Sequence, residues 1–144
     1  MARLEFTGLD ELNAALNRLG QPPDEVKAKA LTEMANVAAG KIKSQGEALG
    51  VRDPESDVHI LDKIKVNKPK LNEDGGVCTI TFAGTRSRGR KRVRNAEIAF
   101  VNEYGSRKQR ARPFIGQAIT QNETAIVEPG AEIIGDWIEK TFKE

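Results

Sequence analysis

The apolar positions change period along the chain, and each change marks a different kind of element. Leu9, Leu12, Leu16 and Leu19 recur at i, i+3, i+7 and i+10, one face of a helix. Thr7 with Asp10 three residues on has the form of a capping box for its start, after a short strand at Ala2–Phe6. Gly20 and the pair Pro22-Pro23 end that helix. A second begins at Pro23, Asp24 and Glu25, where a proline and two acids suit a helix N-terminus. Its stripe is Val26, Ala30, Met34, Val37, Ala38 and Ile42, and it runs to about Ala48, roughly 40 Å at 1.5 Å per residue. Gly40 and Gly46 interrupt it, and either could fray the end or permit close packing.

After a polar loop at Gly50–Asp57 the period falls to two. Ile64 and Val66 alternate with Lys63 and Lys65. Asn72–Gly76 (NEDGG) is a turn signal, and Cys78, Ile80 and Phe82 alternate with Val77, Thr79 and Thr81. Ile98 and Phe100 then alternate with Glu97, Ala99 and Val101, which reads as a further strand over Ala96–Tyr104. Pro113 opens the last helical region with Phe114, Ile115, Ala118 and Ile119 as its stripe. Pro129-Gly130 predicts a break or kink. Ile133, Ile134, Trp137, Ile138 and Phe142 form an apolar face near the end. The expected fold is α+β: an antiparallel meander sheet of three to four strands, packed by a long helix from the N-terminal half and a C-terminal helix.

At 144 residues the chain has the length of a single domain, and 38% apolar residues with 31% charged describe a globular chain. The expected unit is residues 1–144, with an extended basic hairpin arm at about 84–95. One cysteine, Cys78, permits no internal disulfide and fits a reducing compartment. The longest charge-free run, Gly75–Thr85, is too short to span a membrane. Met1–Thr7 lacks the apolar core of a signal peptide.

Net charge is +2, yet Arg86–Arg112 holds ten Arg and Lys against two acids, Glu97 and Glu103. That segment is +8 and the remainder −6. The cations are Arg86, Arg88, Arg90, Lys91, Arg92 and Arg94 in one cluster, and Arg107, Lys108, Arg110 and Arg112 in another. They are the candidate contacts for a partner or for DNA, against the plainer reading of a solvated loop. On the strand reading the clusters lie at opposite ends of Ala96–Tyr104, roughly 30 Å apart at ~3.3 Å per residue. An arm reaching a neighbouring subunit would unite them.

The residue inventory argues against an enzyme. The sole histidine, His59, has no matching nucleophile or ligand set, and Cys78 reads as an inert strand thiol. No metal-ligand or phosphate-loop motif is present, and no cofactor is expected. Glu103 is the most distinctive acid, with a helix or turn contact as its default role.

The most specific segment is Ala96–Ala118, AEIAFVNEYGSRKQRARPFIGQA. Gly105 permits a sharp turn, Pro113 presets a helix start and Phe114 offers an apolar anchor. Glu103-Tyr104-Gly105-Ser106 followed by Pro113-Phe114-Ile115-Gly116-Gln117-Ala118 resembles the tail-component family of tailed bacteriophages and prophages. The opening Phe6-Thr7-Gly8-Leu9-Asp10-Glu11-Leu12 is similar to that family's start. Three features depart from its pattern: Ser106 stands where Thr is commoner, Asp53-Pro54-Glu55-Ser56-Asp57 replaces a tighter Pro-x-Asp-Thr-Gly-x-Leu turn, and the basic arm is longer than the family leads one to expect. The family motif residues here are Glu103, Tyr104, Gly105, Ser106, Pro113, Phe114 and Ala118.

The resemblance implies a structural virion protein of the neck or tail end, made in the host cytoplasm. It would be a tail-completion or head–tail joining subunit, forming a ring of about six copies as closed cyclic assemblies do. Its implied partners are itself, the tail tube protein, the head connector proteins and, unspecifically, DNA passing through the channel, with no membrane. The alternative is a small nucleic-acid-binding protein using its basic loops. With Phe100 and Phe114 read as core, such binding would be phosphate-driven, and ~4 phosphate contacts give a slope of log K on log salt near −3.6. A toxin- or immunity-type α+β protein is a third reading.

Overall fold

The computed structural model describes residues 20–51, 59–73 and 75–143. The expected Ala2–Phe6 strand, the Leu9–Leu19 helix and most of the Gly50–Asp57 loop lie outside the described residues.

Helix α1 spans Asp24–Ala48, with Asp24 and Glu25 in its first turn. It buries Ala30, Ala35, Ala38, Ile42 and Gly46. Neither Gly40 nor Gly46 breaks it. The helix ends in a Schellman arrangement: the Val51 N–H donates to the Gly46 carbonyl (2.8 Å) and the Gly50 N–H to that of Glu47 (3.2 Å), with Gly50 at φ +72°. This turn folds Val51 into the core, where it is almost fully buried. Gly46 serves close packing: a Cβ there would lie 2.5 Å from Leu61 Cδ2 and 3.2 Å from Phe114 Cδ2.

A 3-10 turn, Ile60–Lys63, leads into six short strands: β1 (Ile64–Val66), β2 (Lys70–Asn72), β3 (Gly75–Val77), β4 (Ile80–Phe82), β5 (Thr85–Arg88) and β6 (Lys91–Arg94). They pair antiparallel as β1–β4, β2–β3 and β5–β6. The first two pairs form one interrupted hairpin. Val66 faces Ile80 and Lys70 faces Val77, so Asn67, Lys68 and Pro69 stand opposite only Cys78 and Thr79. One extra residue on one strand is a bulge, and Pro69, with no N–H to give, sits within it. The Asn67 N–H to Thr79 carbonyl bond (2.9 Å) and Cys78 Sγ against the Asn67 carbonyl (3.3 Å) hold the two halves together.

Residues 95–104 correct the strand expectation. Asn95–Tyr104 is a helix, α2; the class is α+β as expected, and among the described residues the strands form two-stranded antiparallel pairs. Its inward face is Asn95, Ile98, Ala99 and Asn102, at i, i+3, i+4 and i+7. Two of these four are polar, which hides the helical period from a hydrophobicity reading. Both amides are satisfied: Asn95 Nδ2 donates to the Ala83 carbonyl (2.7 Å), and Asn102 Nδ2 to that of Ile98 (2.9 Å).

Helix α3 (Phe114–Gln121) and helix α4 (Glu123–Lys143) complete the fold. Of the expected break or kink at Pro129-Gly130, the break does not occur: Pro129 lies inside α4 and the helix runs on to Lys143. The neighbouring Gly130 is buried directly against Met34 of α1, so closely that a Cβ there would displace the Met34 side chain. That contact and the stripe beyond it dock α4 along α1 and outweigh the backbone hydrogen bond lost at the proline. The core gathers Ile42, Val51, Ile60, Leu61, Ala99, Phe114 and Ala118. Phe114, wholly buried, meets Phe82 edge to face at 5.9 Å.

Candidate functional site

The segment from Asn102 to Ala118 is a brace between α2 and α3. Gly105 turns the chain at φ +80°, where a Cβ would lie 2.9 Å from the Ala111 nitrogen. Both the backbone angle and the crowding demand glycine. Ser106 Oγ accepts from the Lys108 N–H (3.2 Å) and the Ser106 N–H donates to the Gln109 carbonyl (2.8 Å), closing a tight turn. A threonine hydroxyl would accept the same bond, so the Ser106 departure is chemically neutral. Gln109 Nε2 then donates to Asn102 Oδ1 (2.9 Å). Pro113, at φ −74° and ψ 66°, is the centre of an inverse γ-turn closed by the Phe114 N–H on the Arg112 carbonyl (2.7 Å).

Glu103 completes the brace. Its carboxylate accepts from the Ile115 N–H (2.8 Å) and the Gly116 N–H (2.9 Å), two of the unpaired donors at the start of α3. A negative group there also suits the helix dipole. The spacing of Glu103-Tyr104-Gly105-Ser106 and Pro113-Phe114 thus has a physical reason: the acid at the end of one helix caps the next, and Phe114 pins it to the core.

The ten candidate cations divide. The half-buried Arg86 donates Nε to Asn95 Oδ1 (3.1 Å), and Arg112 donates Nη1 to the Gly50 carbonyl (2.7 Å), tying the brace to the end of α1. These two perform structural tasks. Arg90, Lys91, Arg92 and Arg94 are exposed on the β5–β6 hairpin, and Arg107, Lys108 and Arg110 are exposed in the brace loop. The Arg88 side chain lies outside the described residues. The hairpin closes through Gly89-Arg90, with φ +63° at Gly89 alone, the pattern of a type II′ turn. Outside itself it packs mainly on α2. The two basic clusters flank α2, a ten-residue helix of about 15 Å, closer than a strand would set them.

Between the clusters lies a feature that sequence reasoning missed. Phe100 is 61% and Tyr104 70% exposed, and their rings meet at 4.8 Å, tilted 48° to each other, on the outer side of α2. The expectation that Phe100 is core is therefore wrong, and with it the argument that the basic region lacks an accessible aromatic. A 3.6-residue reading of 95–104 places both rings, at i and i+4, opposite Asn95 and Asn102. Among the described residues no group of His, Cys, Asp or Glu is placed to hold a metal ion, and no helix is long and apolar enough to cross a membrane.

One family model matches the chain, described as "Bacteriophage HK97-gp10, putative tail-component", over residues 10–105, about two thirds of its length. The matched span ends at Gly105, so α3 and α4 lie beyond it. No curated protein and no solved structure is detectably similar to the chain.

Proposed function

The chain belongs to the HK97 gp10-like family of phage tail components, and from that premise we propose that it is a ring-forming subunit of the tail end or neck, acting in tail completion or head–tail joining. A tail component is a structural protein of the virion. The finer reading rests chiefly on one observation: a cationic hairpin and an exposed aromatic pair stand together on one part of the surface. Exposed aromatics bordered by Arg are what protein interfaces use as anchors. On this reading the partners are other copies of the chain, the tail tube protein and the head connector. The brace keeps α2 and α3 in fixed relation while those partners are bound.

The test is deletion of the gene from the phage that carries it, followed by electron microscopy of the lysate. Filled heads separate from tails, or tails of uncontrolled length, are expected, with joining restored by the intact gene in trans. Normal joined virions from the deletion overturn the reading. The unspecific nucleic-acid alternative predicts instead that the purified protein retains duplex DNA at low salt and loses it steeply as salt rises.

A further inference from the structure

The chain carries two surfaces of opposite charge, and among the described residues neither is paired within one copy. The first is the β5–β6 hairpin, whose exposed Arg90, Lys91, Arg92 and Arg94 lead directly into the Phe100–Tyr104 face of α2. The second is the outer side of α4. Glu128, Glu132, Asp136 and Glu139 follow one another at i, i+4, i+8 and i+11, all exposed, in a stretch with no cation before Lys140. That spacing places them within one narrow arc, opposite the Ile126, Gly130, Ile133 and Trp137 side. Phe142, 50% exposed and three residues past Glu139, borders the stripe. Among the described residues these four acids form no ion pair within the chain.

The two surfaces match in extent. The stripe is about 17 Å long at 1.5 Å per residue, and a four-residue strand of the hairpin about 13 Å at ~3.3 Å per residue. Within one copy they serve different neighbours: the hairpin packs mainly on α2, while α4 packs on α1 and α3. Their pairing is therefore a matter between copies.

We infer that the basic hairpin of one copy docks on the acidic stripe of α4 in the next, with Phe100 and Tyr104 as the apolar anchor beside it. The contact is head-to-tail, since the two patches differ. Repeated contacts of that kind close into a ring when the rotation permits. The inference rests on the ring-forming reading above and names the surfaces that close the ring. A second copy is favoured over DNA because one chain supplies both charges, four exposed acids on the stripe and the exposed Arg90, Lys91, Arg92 and Arg94 on the hairpin. A phosphate-facing hairpin leaves the stripe without a role. Opposed patches also steer association and exclude like-charged mispairings.

Two full-length variants test it. One reverses the hairpin (Arg90→Glu, Lys91→Glu, Arg92→Glu) and the other the stripe (Glu128→Lys, Glu132→Lys, Asp136→Lys). All changed side chains are exposed, and circular dichroism checks that each variant folds. Sedimentation velocity then follows wild type, each variant and their equimolar mixture across a concentration series at low and high salt. The expected result is an oligomer for wild type and a rise of about tenfold or more in the concentration at which each variant alone assembles. The mixture regains assembly, because each reversed patch now finds its complement on the other variant. An oligomer indifferent to both reversals overturns the inference and leaves the ring reading standing. Monomers throughout, the mixture included, also overturn it, and the deletion phage then judges the ring reading separately. If hairpin reversal abolishes only retention of duplex DNA, the hairpin faces phosphate and the inference falls.

Discussion

At the scale of single residues, two side chains between Asn102 and Ala118 do most of the work. Phe114 is wholly buried between α1, β4 and the 3-10 turn. Phe114→Ala should cost ~3–5 kcal/mol as a core truncation, read from the denaturant midpoint, and a loss under about 1 kcal/mol would refute the anchor role. Glu103 is a cap acting across twelve residues. Glu103→Ala should destabilise by about 1–3 kcal/mol and speed hydrogen exchange at the Ile115 and Gly116 amides, with Glu103→Gln, which keeps one acceptor oxygen, in between. Unchanged exchange at those two amides would show that the carboxylate does not hold them. Phe114 was legible from the sequence because a large apolar residue after a proline has few other uses. Glu103 was legible only as a helix or turn contact, since its donors are backbone amides that no side-chain pattern reveals.

Among the elements, legibility followed how each buried face is built. Helix α1 shows its apolar stripe and acidic first turn openly, so its span is readable from Pro23 to Ala48. The strands at Ile64–Val66 and Ile80–Phe82 likewise carry a clear alternation. Helix α2 does not, because Asn95 and Asn102 fill inward positions through specific hydrogen bonds that replace apolar contact. Pro129 does not break α4 for a related reason: tertiary packing at Gly130 holds the helix together through it. The glycines of α1 give a direct test of packing against propensity. Gly40 faces open space, so Gly40→Ala should stabilise by about 1 kcal/mol. Gly46→Ala drives a methyl into Leu61 and should destabilise by about 1–3 kcal/mol. Thermal melts of the pair decide it, and equal shifts of the same sign would contradict the close contact of Gly46 with Leu61.

For the whole molecule, the near-neutral total of +2 conceals a dipolar surface. Neutralising Arg88, Arg90, Lys91, Arg92 and Arg94 together should leave the monomer's melting transition in place and impair assembly, because the exposed side chains of Arg90, Lys91, Arg92 and Arg94 stand outside the core. A monomer that unfolds would assign the cluster a folding role, and unimpaired assembly would reduce it to a solvated loop. The basic segment announced itself in sequence, whereas the acidic stripe is visible only once α4 runs unbroken through Pro129. One connection governs how the molecule answers force. Arg94 pairs with Thr85 at the base of the hairpin, and the next residue, Asn95, already opens α2 with its N–H on the Gly84 carbonyl. No slack lies between them. A pull on the hairpin tip therefore turns α2 as a lever, and the carboxylate of Glu103 passes the torque to α3 and the core.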